Sequence, residues 1–106
     1  MDFVSYVVFA SPKQGVLDNV FVDAIKAFLD YQIEASPLHS YQIIPFTDKA
    51  NFQSISDFQI ICHYLSQEDL KTGFKAMDGK VFQEPHKSLT DLTESFRVSF
   101  ANVISY

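Results

Sequence analysis

The chain has a single cysteine, three glycines, four prolines and eight basic residues in 106 positions. One cysteine excludes a disulfide framework within the chain and fits a reducing compartment. So little Gly and Pro, beside 47% hydrophobic and 15% aromatic residues, excludes a low-complexity or disordered chain. The basic residues are scattered and form no run, while the net charge is −5 and the pI near 4.9. Nucleic acid is excluded as a partner, because gripping phosphates needs clustered Lys and Arg. The longest apolar run, Tyr6 to Ala10, falls far short of the roughly 20 residues that span a bilayer. The opening Met-Asp-Phe lacks the positive charge that precedes a signal peptide's apolar core. The expectation is one soluble, cytoplasmic domain over residues 1–106, without a membrane partner.

What is present is organised around Asp57 to Leu65, whose β-branched and aromatic content argues a strand. Period two places Phe58, Ile60, Cys62 and Tyr64 on one face, which reads as plain core. Gln59, Ile61, His63 and Leu65 fall on the other face, apolar but for a histidine and an amide. Phe3 to Ala10 is a first strand, broken by Ser11-Pro12-Lys13-Gln14-Gly15. Asp18 is placed to cap a helix whose apolar positions are Leu17, Phe21, Ala24, Ile25, Phe28 and Leu29. The charges of Asp23, Lys26, Asp30 and Glu34 lie on its solvated side, and Ser36-Pro37 ends it.

Tyr41 to Phe46 is the second strand, followed by a long connection, Thr47 to Ser56. That connection carries Phe52 and Ile55, so it either folds over an opening or packs as a surface loop. After the third strand, Ser66 and Asp69 have the spacing of a capping box that opens a helix with Leu70, Phe74 and Met77 on one stripe. Gly79 interrupts this second helix, Pro85 restarts it, and Leu89 and Leu92 lie three apart. Phe96 to Ile104 is the fourth strand, with Phe96, Val98 and Phe100 opposite Arg97, Ser99, Ala101 and Val103.

The order β-α-β-β-α-β is a ferredoxin-like α+β arrangement: a four-stranded antiparallel sheet with its helices on one face. Helices cover one face only, and a solvated opposite face should alternate cleanly between apolar and polar residues. Here it carries Ile61, Leu65, Ala101 and Val103, an apolar patch that a monomer would expose. A second copy of the sheet about a two-fold axis covers it most simply, so a homodimer is expected.

Gln14-Gly15-Val16-Leu17-Asp18 with Phe21, Ala27-Phe28-Leu29-Asp30, Phe58-Gln59-Ile60-Ile61, and the tail from Pro85-His86 to Phe100 carry a resemblance. The chain resembles the dimeric α+β-barrel superfamily, and within it an uncharacterised family of about 100-residue bacterial proteins. The resemblance implies two ferredoxin-like subunits joined sheet to sheet, forming a dimeric α+β barrel with a cavity between sheet and helices or inside the barrel. Members include cofactor-free monooxygenases, haem-dependent enzymes, isomerase-like enzymes and small-molecule sensors, so the fold does not choose the activity.

His63 is the catalytic candidate, since an imidazole of pKa near 6.5 can serve as a general base. Gln59 shares its face, and Arg97 and Ser99 lie on that face from the fourth strand, a set suited to an acidic or phenolic molecule. The other reading of His63 is an interface histidine bonded across the two-fold axis. Cys62 points the opposite way and reads as a buried small hydrophobe. His86 is a further ligand-binding candidate at a cavity mouth, or a plain surface histidine; His39 reads as solvent-exposed. No metal site is expected, because short-spaced ligand pairs are missing, and glycine-rich phosphate loops, nucleophile elbows and Cys-x-x-Cys are missing too; no cofactor is expected, although one axial histidine would suffice for haem, which nothing in the sequence specifically supports. Three functions stay open. They are a small-molecule binder for apolar or aromatic ligands, a cofactor-independent monooxygenase- or isomerase-like enzyme with His63 as base, and a ligand-free interaction module.

Overall fold

The computed structural model describes residues 2–104 and contains seven elements. They are β1 (Phe3–Pro12), α1 (Asp18–Ala35), β2 (Ser40–Pro45), β3 (Phe58–Tyr64), α2 (Gln67–Met77), α3 (His86–Leu92) and β4 (Thr93–Val103). The strands form one antiparallel sheet in the order β2-β3-β1-β4, the ferredoxin-like arrangement expected from the element order.

Register sorts the side chains. On β1, Val4, Tyr6, Val8 and Ala10 face the helices, opposite Tyr64, Cys62, Ile60 and Phe58 of β3. Phe3, Ser5, Val7 and Phe9 face away, level with Val103, Ala101, Ser99 and Arg97 of β4. The core forms where the β3 stripe meets Phe21, Ile25 and Leu29, which recur every four residues along one side of α1. The rings of Phe21 and Phe58 meet edge-on at 5.3 Å, and both are fully buried. Each such ring contributes roughly 1.5–3 kcal/mol by leaving water.

Local details depart from the sequence reading in physically simple ways. Leu17, not Asp18, is the N-cap of α1 and makes no side-chain cap bond. Asp18 sits in the first turn, where its charge suits the positive end of the helix dipole. Leu17 is accordingly exposed rather than part of the apolar stripe. Ser66 does cap α2, its hydroxyl accepting from the Asp69 amide. Gly73 brings α2 close to the sheet: a Cβ there would sit 2.8 Å from the Tyr64 ring. The second helix ends at Met77 and the chain turns through Gly79 at φ +74°, so α3 is a separate helix. β4 begins at Thr93, three residues before Phe96, because β1 continues to Pro12 and pairs with it across a bulge.

Candidate functional site

A cavity of about 480 Å³ lies between the sheet and the helices. Its floor is Tyr6, Val8 and Ala10 of β1 with Ile60 and Cys62 of β3. The α1 residues Phe21, Ile25, Phe28 and Leu29 wall one side; His86, Leu89 and Thr90 of α3 wall the other. Thr90, Glu94, Phe96 and Val81 are solvent-exposed lining residues and mark the mouth. Side chains assigned by pattern to a solid core, Ile60 and Cys62 among them, are buried as expected but border a hollow. The α3 helix on this side is only seven residues long and is separated from α2 by the turn through Gly79.

His86 is the polar group that stands out in this wall. The Glu84–Pro85 peptide before it is cis, and its ring lies 4.6 Å from that of Phe28. Burial pushes its pKa below the usual histidine value, so the imidazole is neutral at pH 7. Its Nδ1 is shut off from solvent and, among the described residues, has no hydrogen-bond partner. A buried polar atom left unpaired costs about 1–3 kcal/mol.

The remaining polar groups of the lining are also uncharged at neutral pH, apart from Glu94 at the mouth. Burial raises the Cys62 thiol to about 12 and, with a smaller contribution from Cys62, raises the Tyr6 phenol. A thiol held in that form is a weak nucleophile and behaves as part of the wall. Among the described residues no Lys or Arg lines the cavity. The arrangement suits a neutral molecule with a large apolar body and one polar group.

Of the residues singled out from sequence, His86 lines this cavity, whereas Gln59, His63, Arg97 and Ser99 lie on the opposite face of the sheet. His63 is buried there. Its Nδ1 is 2.8 Å from Ser5 Oγ and its Nε2 3.1 Å from Gln42 Oε1. An amide oxygen only accepts, so Nε2 carries the proton and the Ser5 hydroxyl donates to Nδ1. The Phe3 ring packs 4.7 Å from His63 and 5.4 Å from His39, which is exposed as expected. Burial, and secondarily the nearby His39, lowers the His63 pKa.

Gln59 and Arg97 both lie level with Phe9, on either side of β1, and so sit roughly 10 Å apart, two strand spacings. Ser99 is level with Val7, and among the described residues no hydrogen bond joins these four candidates. Tyr6, Phe28 and Thr90 are lining residues that sequence reasoning did not single out. Tyr6 lies on the helix-facing stripe of β1 and Phe28 on the apolar side of α1, patterns that read as core, while Thr90 on α3 carried no signal. The Thr47–Ser56 connection contributes nothing to the lining and is tied down by a Lys49–Asp57 ion pair. Among the described residues no three His, Cys, Asp or Glu side chains are grouped to hold a metal ion, and no helix is long and apolar enough to cross a membrane.

No family model and no curated protein matches the sequence. Solved structures do match. The protein At3g17210 from Arabidopsis thaliana is 16% identical, with a TM-score of 0.69 over 97% of each chain. A dimeric ferredoxin-like protein of unknown function from Thermobifida fusca is 11% identical, with a TM-score of 0.64 over 96% of this chain and 92% of that one. SnoaB from Streptomyces nogalater, described as a cofactor-independent oxygenase, is 9% identical, with a TM-score of 0.65 over all of this chain and 95% of that one. At these identities the likeness is one of architecture, and the chain shares the ferredoxin-like fold seen in dimeric proteins of that class.

Proposed function

We propose that the chain works as a homodimer that binds a small, neutral, largely apolar or aromatic molecule in the helix-side cavity. The observation that carries this is a 480 Å³ hollow whose lining is apolar but for a few uncharged polar side chains, His86 among them, and Glu94 at the mouth. That volume lies within the roughly 300–1,000 Å³ usual for small-molecule sites. The dimer is supported by same-fold structures described as dimeric and by the outer sheet face, where Phe3, Phe9, Ile61 and Val103 lie uncovered by any helix. Titration with 1-naphthol by calorimetry tests the reading. One saturable site per chain is expected, abolished by Thr90→Trp, which plugs the mouth from an exposed position. Absence of binding, or binding that Thr90→Trp leaves intact, would sink it.

A second reading, a cofactor-independent enzyme, is favoured by the likeness to SnoaB. In that reading the base is His86, because both ring nitrogens of His63 are already bonded on the other face.

A further inference from the structure

The two edges of the sheet are built differently. β2 is six residues long and closes on Pro45, features that keep an edge strand from recruiting another chain. β4 is eleven residues long, contains neither Pro nor Lys, and carries only Glu94 and Arg97 as charges. Its free side presents a row of backbone N–H and C=O groups with no strand of the described residues beside them. On its helix-facing side Phe96, Val98 and Phe100 are 65%, 45% and 56% exposed, and Ile104 continues the stripe. α1 and α2 pack against the other strands, and the Phe74 ring of α2 lies 5.8 Å from that of Phe100. The stripe runs into the cavity at Phe96 and passes round the edge to Ala101 and Val103 on the outer face.

We infer that a second copy of this chain covers the helix-side stripe of β4 and supplies the missing wall of the cavity, so that the ligand site is complete only in the dimer. The inference rests on the cavity being a ligand site. Three observations select a second copy as the occupant. Structures of the same fold and nearly the same length are described as dimeric. The stripe is continuous with the outer face already assigned to dimer contact. The stripe itself is uncharged from Phe96 through Val98, Phe100 and Asn102, so in a chain of net charge −5 it is a surface that can meet its own copy without like-charge repulsion. A long apolar stripe left in water beside an unpaired strand edge would otherwise invite open-ended association.

The test pairs oligomeric state with binding. Sedimentation and 1-naphthol titration are run on the wild type over a dilution series and on Val98→Asp, a stripe position that does not line the cavity. Circular dichroism checks that the variant is folded. The expected results are a monomeric Val98→Asp with affinity weakened about tenfold or more, and a wild-type affinity that falls as dilution dissociates the dimer. The dilution arm needs no variant, so it decides the matter even if Val98→Asp fails to fold. A monomer, made either way, that binds 1-naphthol as tightly as the dimer overturns the partner's wall and leaves the cavity reading standing. A wild-type dimer that binds no 1-naphthol overturns the cavity reading itself.

Discussion

His63 and His86 are the same side chain in two regions separated by the sheet, and both are buried enough that their pKa values are lowered. Their nitrogens tell them apart. His63 accepts from Ser5 on β1 and donates to Gln42 on β2, so one imidazole ties three strands together. Ser5 has no exposed surface and His63 only 6%, although no helix lies over that face; the two shelter one another under Phe3. His86 stands beside a hollow with Nδ1 unpaired. A buried histidine whose hydrogen-bonding capacity is used up is a structural crosslink, however suggestive its polar neighbours. One with capacity to spare is where chemistry from outside the chain can attach.

The largest effect should come from breaking the crosslink. His63→Ala leaves the Ser5 hydroxyl buried without a partner and opens a gap beneath Phe3, and is expected to lower stability by about 2–3 kcal/mol. Urea denaturation at fixed protein concentration measures this, since dimerisation makes the midpoint concentration-dependent. Binding of 1-naphthol per folded molecule should not change. A loss under about 0.5 kcal/mol, the level of an ordinary surface substitution, would show that the Ser5–His63–Gln42 arrangement holds nothing together.

Much of the fold was legible because periodicity alone specifies it. Phe58, Ile60, Cys62 and Tyr64 are all buried, as alternation on the third strand requires, and Phe21, Ile25 and Leu29 meet them from α1. The site was less legible, for two physical reasons. An apolar stripe reads the same whether the layer above touches it or stands off, so Tyr6, Ile60 and Cys62 gave no sign of facing a hollow. Strand register, which places Ser5 against His63 and Gln42 one strand over, joins residues 58 and 21 positions apart, and no local pattern announces it. His63 attracted attention for its polar surroundings, and those same surroundings occupy its nitrogens.

The second effect inverts the first. His86→Leu removes the unpaired Nδ1 and keeps an apolar side chain in the wall, so stability should stay within about 1 kcal/mol of wild type or rise. Ligand discrimination should suffer instead. Wild type is expected to prefer 1-naphthol over naphthalene by roughly threefold to tenfold, the worth of one hydrogen bond, and His86→Leu to bind both alike. Comparative titration of the two probes decides it. A preference that survives in His86→Leu means that the hydroxyl is held elsewhere in the cavity, with Tyr6 and Thr90 the next candidates.

The smallest effect is on pH dependence, and it separates the two histidines. Both have folded-state pKa values below the ordinary 6.5, so on acidification the unfolded chain takes up protons first. Their contribution to stability is therefore complete above about pH 6.5 and declines as pH falls from there toward the lowered folded values. Comparing urea midpoints at about pH 7.5 and 5.5 keeps the measurement above the range where carboxylates titrate. The wild-type midpoint should fall between these pH values, and His86→Leu should fall less, because one of the two proton-linked groups has been removed. A ligand hydroxyl that donates to the His86 ring opposes its protonation, so saturating 1-naphthol should steepen the pH dependence of the wild type and leave that of His86→Leu unchanged. An equal steepening in both proteins would mean that the ligand does not touch His86.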